Sequence, residues 1–318
     1  MFKHDFSLPD SFYVASVQVA TVWTNSESAR EIDEPGITNP TNIEKWLDYL
    51  SNEEKVALCN DNRVQTQLLY GEVVIVSEIN GDWAKVTIPS QPSKKDALGY
   101  PGWVPLNQLK KVAKEDWLKP ETAAISSKHA WLEDELGEKQ IKLSYMTCLP
   151  VVQVGNERVE VITPIARGFL PVEDVEIFPT GEGGPKGDGL RIIEKAKEYV
   201  GLDYLWGGMS SFGYDCSGFA YNMHKANGYQ ISRDASDQAA FGKEIPFDKL
   251  LPGDLLFFAY EEGKGSIHHV GLYYGDGKMI HSPMTGRGIE IISLKDTTYE
   301  KELCIARRYW EGGGVTNG

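Results

Sequence analysis

The sequence predicts a multi-domain chain in which two small β domains precede a third domain of α+β class. Three observations carry this reading. The chain has 318 residues, more than the roughly 100 to 150 typical of one domain. From Tyr13 to Trp23, the residues Val14, Ala15, Val17, Val19, Thr21 and Trp23 recur with the period of two that marks half-buried strands. Beyond a connector at Phe178 to Gly189, which holds Pro179, Pro185 and five glycines, the pattern changes to helices followed by a strand meander.

Within the first β domain, residues 39–60 break the alternation. Ile43, Trp46, Leu47 and Leu50, then Val56 and Leu58, fall at helical spacing and predict a helical insertion. Strands resume at Gln65 to Leu69, Val73 to Val76, Ala84 to Ile88 and around Trp103. A second β block runs over residues 114–180, with strands expected at Lys142 to Thr147, Pro150 to Val154, Glu157 to Pro164 and Val172 to Ile177. The expected boundaries are therefore 1–113, 114–180, a linker at 181–189, a third domain at 190–310 and a flexible tail at 311–318. In the third domain, Ile192, Ile193, Ala196, Tyr199 and Val200 predict a helix ended by Gly201. Phe219 to Ala226 predicts a second helix, and short strands follow from Asp254 to Tyr309.

Composition narrows the function classes. Hydrophobic residues are 41% and aromatic residues 11%, which places the chain among ordinary globular proteins. A formal charge of -14 disfavours nucleic acid and anionic membrane as partners. No window has the roughly 18 uninterrupted apolar residues of a membrane span, and Met1 to Pro9 lacks the pattern of an export signal. A mature form with its signal removed would read the same way. Cys59, Cys148, Cys216 and Cys304 are widely separated, so reduced thiols and a cytoplasmic location fit best, with a secreted or wall-associated protein as the alternative. Oligomeric state is not legible.

The chemistry concentrates at Tyr214, Asp215, Cys216, Ser217, Gly218 and Phe219. Gly207 and Gly208 before it allow sharp turns, and the helix after it places Cys216 in a first turn, where free backbone N–H groups favour a thiolate. Cys216 alone fits a small buried hydrophobe equally well. A nucleophilic thiol needs a base and a third group to hold that base. His269 and His281 lie on neighbouring strands joined by the tight Asp276-Gly277 turn, which brings two imidazoles within hydrogen-bond reach.

Two resemblances follow from these residues. The order Leu68-Leu69-Tyr70-Gly71-Glu72, Gly81-Asp82-Trp83 and Gly102-Trp103-Val104-Pro105 resembles bacterial SH3 (SH3b) domains, over about residues 10–112, and the block at 114–180 resembles a second, diverged SH3b-like barrel. Tyr214 to Phe219, Pro252-Gly253-Asp254-Leu255, His269-Val270-Gly271 and Ile280-His281-Ser282 resemble the NlpC/P60 cysteine peptidases, over about residues 188–310. With two SH3b-like domains ahead of it, the chain is similar to the γ-D-glutamyl-L-diamino acid endopeptidases of the YkfC type. The resemblance implies a papain-like catalytic domain that needs no cofactor, acting on murein-derived peptides and releasing L-Ala-γ-D-Glu. It implies Cys216 as nucleophile, His269 as base and His281 as its orienter. It further implies Asp215 as anchor of a free α-ammonium, Ser217 and Ser236 as contacts to D-Glu, and Glu72 and Tyr100 as cleft residues from the first barrel. Tyr204 and Trp206 fit either a cleft lining or core packing.

Other readings use the same residues. Cys216 with His268, His269 and His281 are zinc-ligand types, although no H-E-x-x-H or C-x-x-C spacing is present. An inactive wall-binding protein and an amidase or acyltransferase on the same fold are the remaining alternatives. His268 has no assigned role, and His4, His129 and His224 are expected at the surface.

Overall fold

The computed structural model describes residues 8–181 and 183–311. The expected tail beyond Glu311, position 182 of the linker, the stretch 1–7 and His4 with it lie outside the described residues. The chain divides into two compact units, Met1–Gly183 with Leu205–Gly213, and Gly184–Tyr204 with Tyr214–Gly318.

The first unit is built from β1 (Ser11–Ala15), β2 (Val19–Trp23), β3 (Val64–Leu69), β4 (Val73–Asn80), β5 (Trp83–Ile88), β6 (Tyr100–Pro105) and β7 (Leu109–Ala113), then β8 (Glu121–Ile125), β9 (His129–Glu133), β10 (Lys139–Ser144), β11 (Cys148–Val154), β12 (Arg158–Ile162), β13 (Arg167–Pro171) and β14 (Val175–Pro179). They form two seven-stranded sheets, ordered β3-β2-β6-β5-β4-β1-β7 and β10-β9-β13-β12-β11-β8-β14. Adding seven to each strand number of the first order gives the second. The same SH3b-like topology therefore occurs twice, although only the first copy carries the Tyr-Gly-Glu and Gly-Asp-Trp signatures. The copies share apolar core: Phe12, Val14 and Tyr70 pack in one cluster with Ile125, Leu132 and Leu149. Strands β8 and β9 were not expected from the sequence. They are only five residues each, and Trp131 points out of the sheet, 38% exposed, between the buried Ala130 and Leu132.

Between β2 and β3 the predicted insertion is helical, as α1 (Glu34–Ile37), α2 (Ile43–Tyr49) and α3 (Asn52–Asn60). It begins before position 39 because buried Asp33 gathers the chain there, accepting from the Arg30 guanidinium at 2.9 Å and from Trp46 Nε1 at 3.0 Å. Ser51 and Glu54 close a reciprocal capping box at the start of α3. A single turn, α4 (Lys114–Trp117), leads into the second sheet.

The second unit contains α5 (Gly189–Lys197), α6 (Cys216–Lys225), α7 (Ala235–Gln238) and an antiparallel meander. Two short strands, β15 (Met209–Ser210) and β16 (Gly213–Tyr214), precede α6. The meander consists of β17 (Lys243–Glu244), β18 (Leu255–Ala259), β19 (Ile267–Gly275), β20 (Lys278–His281), β21 (Glu290–Ser293) and β22 (Leu303–Arg308), in the order β17-β22-β18-β19-β20-β21. Helix α5 buries Ile192, Ile193 and Ala196, as its spacing predicts. It starts earlier than expected because the Asp188 side chain accepts from Arg191 N at 3.0 Å and caps it, and it ends at Lys197. Helix α6 is buried from Ser217 to His224 and packs against β19.

Candidate active site

Cys216 is the first residue of α6, and Asp215 is its N-cap. The Asp215 backbone is extended and its Oδ1 accepts from Gly218 N at 2.6 Å, which satisfies one of the orphan donors at the helix start. The Gly-Gly turn ahead of it is conformationally required. Gly207 has φ +76°, and a Cβ on Gly208 would meet Gly213 O at 2.4 Å.

The two histidines are set by the hairpin β19–β20. Asp276 and Gly277 both have positive φ, 51° and 69°, as a two-residue type I′ connection demands. Leu272 then stands opposite Ile280, so His281 comes opposite Gly271 and diagonal to His269. Gly271 clears the diagonal, since a Cβ there would lie 2.8 Å from Met279 Sδ and 3.3 Å from His281 Cβ. His269 Nε2 and His281 Nδ1 consequently meet at 2.8 Å, with the rings edge to face at 5.0 Å between centroids. His269 is 4% exposed and His281 is fully buried. Tyr299, from the short helix Thr298–Glu302, packs on both rings at 5.3 and 5.2 Å.

The backbone of Val270, next to His269 on β19, lies beside the Cys216 sulfur, where its N–H favours the charged form. The thiol is nevertheless pushed up to about 12, first by burial and then by the neighbouring Asp215 charge, against which Val270 N–H, Arg233 and Ser217 N–H act only partly. Burial holds His269 well below 6.5, with His281 and His268 adding to the effect. Burial, then Arg287, brings His281 down to about 4. Burial and the Asp215 charge thus oppose a thiolate at this helix start, while the backbone donors and Arg233 favour it. The arrangement can move a proton from the sulfur to His269 when an acyl carbon arrives, and its Nε2 being taken leaves Nδ1 to receive it.

Sequence reasoning missed Arg233. It is 1% exposed and reaches Asp215 with both amino groups, Nη1 to Oδ1 at 3.1 Å and Nη2 to Oδ2 at 2.6 Å, while Nη1 also donates to Ser217 Oγ at 2.9 Å. Ser217 Oγ in turn donates to Asp215 Oδ1 at 3.2 Å. Only its place three residues before Ser236 hinted at this role. Ser236, half-buried in α7, lies 3.3 Å from Asp237 Oδ1. Tyr204 is 8% exposed, and its backbone N–H donates to Arg287 O at 3.0 Å.

Glu72, Tyr100 and Trp206 belong to the first unit and take part in its internal structure. Glu72 accepts from Leu69 N at 2.9 Å, from Gln91 Nε2 at 3.2 Å and from Ser90 Oγ, clasping the β3–β4 turn. Tyr100 is 2% exposed and pairs through its hydroxyl with Lys95. Trp206 Nε1 donates to Val64 O at 3.0 Å. The surface expectation for two other histidines is corrected. His224 is fully buried on α6, its Nδ1 2.8 Å from Ala220 O, because that helix is enclosed along nearly its whole length. His129 is half-buried against Phe212, with ring centroids 4.7 Å apart. His268 stacks on Tyr260 and meets Glu302 at 3.1 Å. Among the described residues no group of three or more His, Cys, Asp or Glu side chains is placed to hold a metal, and no helix is long and apolar enough to cross a membrane. The four cysteines form no disulfide.

A helix-borne cysteine against a strand-borne pair of imidazoles defines a thiol hydrolase of the cysteine-peptidase class. Residues 201–308 match the NlpC/P60 family and residues 125–178 match the YKFC SH3b2 domain. The chain is 48% identical over 294 residues to a gamma-D-glutamyl-L-lysine dipeptidyl-peptidase of Bacillus subtilis, covering 91% of this chain and 96% of that one. A protein of the same name from Bacillus cereus is 37% identical, over 94% of this chain and 91% of its own. The crystal structure of an NlpC/P60 family protein from Bacillus cereus superposes with a TM-score of 0.90 at 37% identity, over 94% of this chain and 99% of that one. This chain belongs to the NlpC/P60 family of cysteine peptidases.

Removing Arg233 leaves a buried carboxylate without its counter-charge, which costs about 3–5 kcal/mol. Arg233→Ala is therefore expected to lower the urea midpoint of the second unit's unfolding. An unchanged midpoint would show that the pair contributes little to the fold.

Proposed function

We propose that the protein is a cysteine endopeptidase that hydrolyses the γ-D-glutamyl-L-diamino acid bond of murein peptides with a free N-terminal L-Ala, releasing L-Ala-γ-D-Glu. The observation that carries this reading is the 2.8 Å His269–His281 bond beside a helix-starting cysteine, in a chain nearly half identical to a dipeptidyl-peptidase named for that bond type. Cys216 attacks the γ-carbonyl of D-Glu as its proton passes to His269 Nδ1. The tetrahedral oxyanion takes the backbone N–H of Cys216, a donor typically worth roughly 3 to 4 kcal/mol. Collapse breaks the amide bond, and His269 returns the proton to the leaving amine of the diamino acid. Water, deprotonated by His269, then opens the thioester and frees the dipeptide.

Asp215 serves the substrate's ammonium in this reading. Its Oδ1 is filled by Gly218, Ser217 and Arg233, whereas Oδ2 accepts from Arg233 and has a second acceptor position for a charge-assisted bond. Ser217 and Ser236 contact the D-Glu portion, and the inward commitment of the Ser217 hydroxyl makes its part the smaller one.

Cys216→Ala is expected to reduce cleavage of L-Ala-γ-D-Glu-L-Lys and of the diaminopimelate peptide by on the order of 10⁴-fold or more while leaving the fold intact. Cleavage of these peptides at the wild-type rate would overturn the assignment. Parallel assays with the N-acetylated peptide test the ammonium contact, since equal rates for blocked and free peptides would remove Asp215 from that role.

The depressed imidazoles fix a pH dependence. His269 works as a base only when neutral, and its titration lies well below 6.5, so activity requires no deprotonation between pH 6 and 8. The acid limb of kcat/KM should lie well below 6.5. A limb centred near 6.5 to 7 would show that the imidazole is not desolvated.

A further inference from the structure

Glu290 stands directly opposite His281 in the β20–β21 ladder, and its Oε1 lies 3.4 Å from His281 Nε2. Both atoms are shut off from solvent, and neither makes a hydrogen bond of good geometry to any group among the described residues. Arg287 Nη2 lies 2.7 Å from both oxygens of this carboxylate, pairing with Oε1 and donating to Oε2, while Oε1 also faces the ring. A buried imidazole nitrogen and a buried carboxylate oxygen facing each other are stabilised when the nitrogen carries a proton, and repel when it does not.

That choice propagates. With a proton on Nε2, neutral His281 has a bare Nδ1, which can only accept, so the 2.8 Å contact must be His269 Nε2–H donating to His281 Nδ1. His269 is then bare at Nδ1, the form that takes a proton from a thiol. In the opposite arrangement His281 Nδ1–H donates to His269 Nε2, a lone pair on His281 Nε2 faces a carboxylate, and His269 Nδ1 is already protonated. We infer that Glu290 is a positioning residue that selects the productive tautomer of the His269–His281 pair. Glu290 remains a carboxylate throughout and takes no proton. The inference rests on the proposed hydrolysis for its kinetic consequence, but not for its tautomeric one.

Three variants and two readouts test it. Glu290→Ala and Glu290→Met remove the acceptor, and Met retains the volume should Ala not fold. Glu290→Gln retains an acceptor oxygen. Acceptor loss should lower kcat about ten- to a hundredfold with KM changed little, as for other outer orienting groups, and Gln should recover most of it. The second readout is the ¹⁵N spectrum of histidine-labelled protein, in which His281 should be protonated at Nε2 in the wild type and at Nδ1, or mixed, in the Met variant. Its outcome is independent of substrate, so failure of the proposed reaction and failure of this inference are distinguishable. An unchanged His281 tautomer in the Met variant, or equal loss of kcat in Met and Gln, would overturn the role.

Discussion

The hydrogen bond between His269 and His281 is the contact on which the catalytic unit is organised. For it to form, two strands must be joined by a turn with both central residues at positive φ, and Gly271 must vacate the space the diagonal pair crosses. Each demand is met by residues with no chemistry of their own: Asp276, Gly277 and Gly271. The imidazoles are then sealed by Phe258 and Tyr299, whose rings lie 5 to 6 Å away, and this desolvation keeps them neutral. Base strength is thereby traded for availability, because a neutral imidazole is ready to accept a proton across the physiological range.

The same burial reaches the sulfur. A helix start ordinarily favours a thiolate, but here one donor is spent on the Asp215 cap and the adjacent carboxylate opposes a second negative charge. Arg233 compensates that carboxylate from inside the unit. In the proposed reaction the negative charge that forms on the substrate's carbonyl oxygen is met by the backbone N–H of Cys216.

Much of this was legible in the sequence, for physical reasons. The meeting of His269 and His281 follows from strand and turn signals, because the period of two and the Asp-Gly turn are local properties, whereas the part of Cys216 was implied by the resemblance to the NlpC/P60 motifs. The first sheet announced itself through strand-forming residues and tight turns, although the run expected as one half-buried strand from Tyr13 to Trp23 is two, Ser11–Ala15 and Val19–Trp23, the second buried throughout. Its repeat did so only in part: β8 and β9 are short, and Trp131 lies exposed between two buried neighbours. Arg233 could not be found by pattern, since its partner lies 18 residues away and the pair is made by tertiary packing. His224 misled for the complementary reason. A polar residue suggests an outer face, but α6 is enclosed along nearly its whole length and the ring binds the backbone four residues back.

Two carboxylates flank the site, one beside the sulfur and one beside the far imidazole, and each is paired with an arginine. Asp215 borders the sulfur, where a bare charge would raise the barrier to forming a thiolate, and it receives two guanidinium bonds, a helix N–H and a hydroxyl. Glu290 borders the far imidazole, where negative charge favours a protonated ring; Arg287 pairs with it at 2.7 Å, and its Oε1 also faces that ring at 3.4 Å. Both charges are compensated by an arginine, and what differs is their placement: Asp215 is bound into the helix start beside the sulfur, whereas Glu290 keeps Oε1 facing the ring that takes the positive charge in the proposed reaction.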